Sequence, residues 1–326
     1  MKELENKNSE IVEEENPAEV LIKALESMSN EEINKAVKKG TENKEDASKN
    51  EEKKESDKNA HQSKRTNAEK KIDDFIKDLG DIALLLDTST ESLRDEFMLA
   101  QVRKVMSRVQ KVIVRYDVPE AELDKILEEA EYLQMGGLTV APIYIPTCAK
   151  NIKKSKFAPI KLGAVIDFPF GESTFKGKLA DFKVAKKSGA EQISVSFPAM
   201  QLSPEKLKEF KKQVKTLGKI HKGGAGVIFN ASDIETENFI EAVKIISKTK
   251  ISFITLAFGD ASIEQVKQKI AGFNEFRPAD KKLFVLANVE HADSIMELFK
   301  LKVDSILTPY ADAIGRYLIE RFNLNN

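Results

Sequence analysis

The sequence predicts a (β/α)8 barrel, the TIM-barrel class of α/β fold, preceded by a helical and disordered N-terminal extension. Eight short apolar runs recur in the last two thirds of the chain, and segments with helical periodicity lie between them. Such runs are typical of parallel strands buried on both faces, and their alternation with helices indicates an α/β architecture. A doubly wound open sheet is the alternative, since spacing alone does not exclude it.

The composition narrows the class of protein. The chain has 326 residues, of which 41% are hydrophobic and 32% are charged, and its net charge is -1. This length allows one large domain with extensions, and the balanced charge argues against a nucleic-acid or membrane partner. The acidic N-terminus does not have the pattern of a signal peptide, and no segment approaches the roughly 18 apolar residues of a membrane span.

Cysteine and histidine usage indicates a cytoplasmic protein with no metal site and no cofactor. The single cysteine, Cys148, has no partner for an internal disulfide, which fits a reducing compartment. The three histidines form no cluster with metal-ligand spacing. Cys148 is expected to lie in a helix after Pro146 and to act as a small packed side chain.

Residues 1–68 are predicted to form a disordered, charged extension, because they carry 13 basic and 17 acidic side chains. Within them, capping signals and one apolar face predict a helical hairpin at 17–39. This hairpin is interpreted either as a docking motif for a protein partner or as a transient helix in a solvated tail. Residues 41–68 contain no apolar side chain larger than alanine and are interpreted as a flexible linker.

Residues 69–107 are predicted to form two helices that cap the barrel or supply a dimer contact, the second of them at Glu91–Gln110. The barrel is predicted over residues 108–326. Its strands are expected at Val112–Tyr116, Leu138–Ile143, Leu162–Phe168, Gln192–Phe197, Gly226–Asn230, Ser252–Phe258, Leu283–Asn288 and Asp304–Thr308. Its helices are expected at Glu120–Leu133, Thr174–Ser188, Pro204–Leu217, Thr236–Ser247, Ser262–Ala271 and Ala292–Phe299.

Several stretches of the barrel region share their order and spacing with one enzyme family. Val165–Gly171 is similar to Val-Ile-Gly-Phe-Pro-Leu-Gly, and Gln192–Pro198 to Glu-Val-Asp-Val-Val-Phe-Pro. Ser252–Gly259 is similar to a sixth strand written Phe-Ile-Lys-Thr-Ser-Thr-Gly, and Pro142–Pro146 to the segment after a second strand. Over about residues 108–320 the chain thus resembles the deoxyribose-phosphate aldolases, which belong to the class I aldolase superfamily. The resemblance implies the barrel fold, a homodimer and carbon–carbon lyase chemistry through a lysine that attacks the substrate carbonyl.

The chain departs from this family at each position to which the resemblance gives a titrating group. Thr255 stands at the Schiff-base lysine, and Val285 at the second lysine. Ser194 stands at the carboxylate of the fourth strand, Asn230 at the glutamate that ends the fifth, and the aspartate of the first strand falls near Gln110. Class I chemistry needs a neutral amine and a proton shuttle, so these residues predict that catalysis has been lost.

Phosphate binding is disfavoured for a related reason. The resemblance puts glycine-rich phosphate-binding backbone after the seventh and eighth strands, where this chain has Asn288-Val289 and Leu307–Tyr310. Proline lacks a donor N–H, and a β-branched valine hinders close approach of a ligand to the backbone.

Polar side chains near the strand ends are the ligand-binding candidates: Arg115, Asp167, Ser196, Asn288, Thr308 and Tyr310. Arg115 and Asp167 are expected to pair, either around a ligand or simply with each other. A serine–histidine nucleophile is disfavoured because no histidine sits at a strand end. Most lysines, Lys178 among them, are expected to be solvated, which leaves no strong candidate for a relocated Schiff-base lysine.

Two hypotheses for function follow. The first is a barrel that has lost catalysis and serves as a binding or scaffold protein, with the helices at 17–39 docking a partner. The alternative is a divergent class I aldolase that acts on a small sugar phosphate or aldehyde through a relocated lysine. Fold alone does not separate them, because barrels support many chemistries.

Overall fold

The computed structural model describes residues 90–154, 160–322 and 324. The predicted hairpin at 17–39, the linker at 41–68 and the first capping helix lie outside these residues, so those predictions stay predictions. Residues 99–326 form one compact unit. Within the described residues no helix is long and apolar enough to cross a membrane. In the same residues no three His, Cys, Asp or Glu side chains are grouped to hold a metal ion.

Eight parallel strands close into a barrel in the order in which they occur along the chain. Strands β1 to β8 are Val109–Ile113, Gly137–Val140, Leu162–Ile166, Gln192–Ser196, Ala225–Asn230, Phe253–Ala257, Lys282–Leu286 and Ser305–Thr308. Every neighbouring pair is parallel, and β1 pairs with β8. The predicted (β/α)8 barrel is confirmed, and closure between β1 and β8 excludes the doubly wound open sheet.

The helices form the outer layer of the barrel, with one crossover between each pair of consecutive strands. In the described residues, α1 to α9 are Thr90–Met106, Glu120–Tyr132, Ile145–Ile152, Phe175–Lys187, Leu207–Ile220, Thr236–Ser247, Ile263–Asn274, Ala292–Lys300 and Ala311–Arg321. Short 3-10 helices follow β2 at Pro142–Tyr144 and β4 at Ala199–Leu202. Cys148 lies in α3 and is buried, as expected.

Local capping chemistry explains where two crossovers begin. Thr174 accepts a hydrogen bond from the N–H of Gly177 at the start of α4. Ser262 forms a reciprocal capping box with Gln265 at the start of α7. Each cap satisfies a donor that the first helical turn leaves without a partner.

The predicted boundaries of the last seven strands and of the six predicted crossover helices agree with the structure to within three residues.

The first strand starts earlier than the sequence predicts, which corrects two boundaries. Helix α1 ends at Met106 rather than at Gln110, and β1 occupies Val109–Ile113 rather than Val112–Tyr116. All five residues of β1 are buried between β2 and β8. Pairing on both sides in the closed sheet overrides the helical periodicity that continues past the end of α1.

Aromatic packing inside the barrel predicts that alanine substitution costs much more stability at a buried phenylalanine than at an exposed one. Phe253 on β6 stacks on Phe284 of β7, with ring centroids 4.5 Å apart. Phe253→Ala should lower the free energy of unfolding by about 3–5 kcal/mol, because it removes buried surface and leaves a cavity. The exposed Phe276 provides the control: Phe276→Ala should cost well under half as much in urea denaturation followed by circular dichroism. Equal losses of unfolding free energy would show that the stacked ring of Phe253 contributes no more to stability than an exposed ring.

Candidate functional site

Side chains on a strand alternate between two faces, so the packed cluster inside the barrel identifies which positions face inward. The cluster draws on six strands and consists of Val112, Val165, Ile228, Phe253, Ala257, Phe284, Leu286 and Leu307. Thr255 lies between two of its members on β6 and is fully buried. The Oγ of Ser194 on β4 lies 3.5 Å from Thr255 Oγ1, and either hydroxyl can donate. The two positions to which the resemblance gives a lysine and a carboxylate therefore meet inside the barrel as neutral hydroxyls.

Val285 does not line this interior. Its neighbours Phe284 and Leu286 belong to the interior cluster, so the alternation of β7 turns Val285 towards the helices. The buried interior positions of β7, Phe284 and Leu286, are thus apolar and carry no amine. The lysine of this strand, Lys282, is exposed at its amino-terminal end.

An amide network occupies the interior near the amino-terminal ends of the strands. Gln110 Nε2 donates to Gln192 Oε1 at 3.1 Å and to Ser305 Oγ at 3.0 Å, while Gln110 Oε1 accepts from Thr139 Oγ1 at 2.8 Å. Gln110 is buried, and its amide donor and acceptor both have partners, as a buried polar group requires. The position that the resemblance gives to the aspartate of the first strand therefore holds a neutral and fully engaged side chain.

The predicted ion pair between Arg115 and Asp167 is wrong. Arg115 pairs with Glu122 at the start of α2. Both carboxylate oxygens of Asp167 accept from Ser173, one from its N–H and one from its hydroxyl, each at 2.8 Å. Asp167 also lies 3.4 Å from the ammonium of Lys178. Arg115 and Asp167 thus each bond to residues close to them in the chain. Both lie in connections between a strand and the following helix.

Two further candidates, Asn288 and Tyr310, lie at the exposed rim of the carboxyl-terminal face, as does Asn230, the position that the resemblance gives to a glutamate. Asn230 Nδ2 donates to Asp233 Oδ2 at 2.6 Å, and Asn288 Nδ2 donates to Asp260 Oδ1 at 2.7 Å. The Tyr310 hydroxyl bonds to Glu290, and this hydrogen bond with the nearby negative charge raises the pKa of Tyr310. Because the phenol donates to a carboxylate, it is a neutral donor and not a base.

The last two candidates are buried and hold backbone in place. Thr308 Oγ1 donates to the carbonyl of Val289 at 2.8 Å and accepts from the N–H of Tyr310 at 3.2 Å. Ser196 Oγ points to the carbonyl of Pro169 at 3.4 Å. The structure therefore places the six candidates around the same face without bringing them together as one binding constellation.

Lys178 is the functional group that sequence reasoning missed, and the expectation that it is solvated is wrong. Its side chain is 1% exposed. Its Nζ donates to the carbonyls of Gly171 at 2.6 Å and Ser196 at 2.7 Å, besides pairing with Asp167. Burial lowers the pKa of Lys178, while the charge and hydrogen bond of Asp167 raise it. The signal was present in the helical period of α4, since Lys178 shares its buried face with Phe182 and Ala185.

The other buried lysines of the described chain are engaged in the same manner. Lys111 donates to the carbonyl of Pro309 and to Asp312, each at 2.5 Å. Lys281 donates to the carbonyl of Thr249 at 3.1 Å and pairs with Asp280 at 2.9 Å. Each of these amines would have to give up its hydrogen bonds to a carboxylate and a carbonyl before it could attack a substrate carbonyl carbon.

A cavity of about 490 Å³ lies on the outer wall of the barrel, between α6 and α7. It sits behind Leu256, the outward-facing neighbour of Thr255. Its apolar lining includes Ala231, Ile234, Phe239, Ile240 and Phe273. No sequence motif pointed to this cavity, because its lining comes from two helices and two strand ends that only the fold brings together.

The contacts of Lys178 predict that it acts as a brace between the segment after β3 and the end of β4. Lys178→Met should lower the free energy of unfolding by about 3–5 kcal/mol, because it leaves Asp167 and two carbonyls without their buried cation. Lys176→Met, on the exposed side of the same helix, is the matched control and should change stability by less than about 1 kcal/mol. Urea denaturation of both variants measures this difference, and similar losses would rule out the brace.

The chain has sequence relatives among known proteins. No protein family model matches the chain. The deoxyribose-phosphate aldolase of Caldicellulosiruptor saccharolyticus is 23% identical over 161 residues, which cover 48% of this chain and 72% of that protein. The deoxyribose-phosphate aldolase of Dictyoglomus turgidum is 22% identical over 210 residues, or 63% of this chain and 93% of that protein.

Solved structures agree with the sequence relatives on the fold. The aldolase QR15 superposes with a TM-score of 0.59 at 16% identity, covering 68% of this chain and 99% of that structure. A deoxyribose phosphate aldolase from Aeropyrum pernix superposes with a TM-score of 0.57 at 17% identity, covering 67% of this chain and 95% of that structure. The chain is an aldolase-like TIM barrel related to the deoxyribose-phosphate aldolases.

Proposed function

We propose that this barrel has lost aldolase catalysis and serves as a binding or scaffold protein. The observation that carries the proposal is Thr255, which faces the interior at the position that the resemblance gives to the nucleophilic lysine, with the hydroxyl of Ser194 beside it. A hydroxyl that adds to a carbonyl forms a hemiacetal. It has no nitrogen to become an iminium ion, so it offers no electron sink for breaking a carbon–carbon bond.

The absence of a substitute amine among the described residues supports the same proposal. The three buried lysines in that part of the chain, Lys111, Lys178 and Lys281, each hold a carboxylate and at least one backbone carbonyl. Freeing Lys111 or Lys178 would leave a partly buried carboxylate, Asp312 or Asp167, without its counter-charge, which is destabilising. The proton shuttle is also replaced by neutral groups.

The phosphate end of the aldolase site is unsuited to an anion for two reasons. The backbone donors there are engaged: the N–H of Val289 donates to the carbonyl of Ala287 at 2.9 Å, and that of Tyr310 donates to Thr308 Oγ1. Carboxylates also stand nearby, since Asp260 bonds to Asn288 and Glu290 to Tyr310. A phosphate would meet few free donors and a repulsive field.

A second function, a lyase with a relocated lysine, keeps one specific observation in its favour. Lys178 is a buried amine beside a carboxylate, and burial lowers its pKa. The sequence relatives named above carry the name deoxyribose-phosphate aldolase. This alternative requires Lys178 to leave its two carbonyl partners and enter the barrel mouth when substrate binds.

Reductive trapping separates the two functions. The full chain is incubated with deoxyribose 5-phosphate and sodium borohydride, and its intact mass is then measured. We expect no adduct, because no described interior side chain can form an imine. The Dictyoglomus turgidum enzyme serves as the positive control under the same conditions. An adduct that maps to Lys178, and that Lys178→Met abolishes, would overturn the scaffold proposal and support the lyase.

The scaffold proposal also includes a docking role for residues 17–39, because one face of this segment is apolar. Deleting residues 1–68 should abolish capture of a partner by the affinity-tagged chain, since the docking helices are lost. The thermal midpoint of the barrel should stay unchanged. Capture that survives the deletion would remove the docking role from this segment.

A further inference from the structure

The carboxyl-terminal face of the barrel carries four solvent-exposed apolar side chains on four consecutive strand connections. They are Tyr116 after β1, Ile143 after β2, Phe170 after β3 and Met200 after β4, with exposed fractions of 70%, 67%, 71% and 72%. Neighbouring strands lie about 4.8 Å apart, so these side chains follow one another around half of the rim. We call them the apolar arc. Exposed apolar side chains grouped in this manner mark interaction sites more often than isolated ones do.

Acidic side chains are distributed around this rim, and three of them follow the next three strands. Asp233, Asp260 and Glu290 follow β5, β6 and β7, and all three are exposed; we call them the acidic arc. Across the whole face, the segments between each strand and its following helix carry eight acidic and two basic side chains. One of the two basic residues, Arg115, is already paired with Glu122.

Helix dipoles explain only part of this pattern. Acidic residues near helix N-termini complement the positive end of the dipole, and these helices all start at this face. That effect gives no reason for exposing tyrosine, isoleucine, phenylalanine and methionine to water at four successive connections. The apolar arc therefore needs an occupant that covers it.

Apolar side chains of the barrel interior lie beneath this face. Beneath it, Ala257, Leu286 and Leu307 of the interior cluster are buried, and Val114 and Phe168 pack against that cluster. An occupant must then be broad enough to touch both arcs, with apolar groups on one side and positive charges on the other. An amphipathic helix of about 18 residues is about 27 Å long, which suits the diameter of a small barrel.

We propose that the carboxyl-terminal face docks a basic amphipathic helix of a partner protein, with its apolar side on the apolar arc and its lysine or arginine side chains on the acidic arc. The inference rests on the binding role proposed above and names the chemistry of the partner. Charge complementarity selects this occupant, since an acidic helix would be repelled by the acidic arc. Exposed aromatic and methionine side chains suit adaptable helix recognition.

The test uses a fluorescein-labelled peptide of about 18 residues, built from leucine and lysine so that leucines recur on one helical face. A second peptide has glutamate in place of each lysine. Fluorescence anisotropy with the full chain should show at least about tenfold tighter binding of the lysine peptide. The combined substitution Phe170→Ser and Met200→Ser should weaken that binding by about tenfold, as loss of central apolar anchors does.

Matched controls distinguish binding at this face from nonspecific adhesion to the rest of the surface. Val184→Ser with Tyr317→Ser removes exposed apolar side chains from outer helices, where their exposed fractions are 61% and 49%, and should leave binding unchanged. Asp260→Asn with Glu290→Gln should weaken binding by about threefold and flatten its salt dependence. Asp181→Asn with Glu128→Gln, also exposed, should do neither.

Three outcomes would overturn the proposal. Equal binding of the two peptides, or equal loss in the control variants, would show adhesion without a site. Sedimentation velocity provides the third: a dimer of the free chain that the Phe170→Ser and Met200→Ser variant dissociates would show that a second copy covers the face. Failure of peptide binding leaves the borohydride result untouched, so loss of this proposal and loss of the scaffold function are distinguishable.

Discussion

The closure of eight strands around neutral side chains is the constraint on which the rest of the structure depends. A closed sheet leaves an interior that side chains must fill. Here an amide network lies at one end, two hydroxyls meet near the middle, and aliphatic and aromatic groups complete the packing. A charged group in that volume would need a buried partner. The neutral filling removes this demand, and it is the observation behind the proposed loss of class I aldolase chemistry.

Two buried lysines, Lys111 and Lys178, join neighbouring segments of the barrel and do not line its interior. Lys111 joins β1 to the start of α9, and Lys178 joins the segment after β3 to the end of β4. Both ammonium groups stabilise the connections that shape the carboxyl-terminal face. That face carries the apolar arc on one half and an excess of acidic side chains throughout, so its electrostatics differ from those that a phosphorylated substrate requires.

The fold could be predicted from the sequence because eight apolar runs and their helical crossovers repeat a local pattern. The first strand was misplaced, since periodicity alone cannot reveal that Val109 is paired with β8. The neutral character of Thr255 and Ser194 was readable from residue type, whereas the outward orientation of Val285 depended on register. The predicted pairing of Arg115 with Asp167 and the predicted solvation of Lys178 are both wrong, because these side chains contact partners across loops that sequence spacing does not locate.

Phe253 lies two residues before Thr255 on β6 and stacks on Phe284, whose Cα pairs with that of Thr255. This packing limits what position 255 can hold. The rings occupy the volume that a longer side chain at position 255 would need. A lysine introduced there would crowd the core, so an amine at this position would also require smaller residues around it.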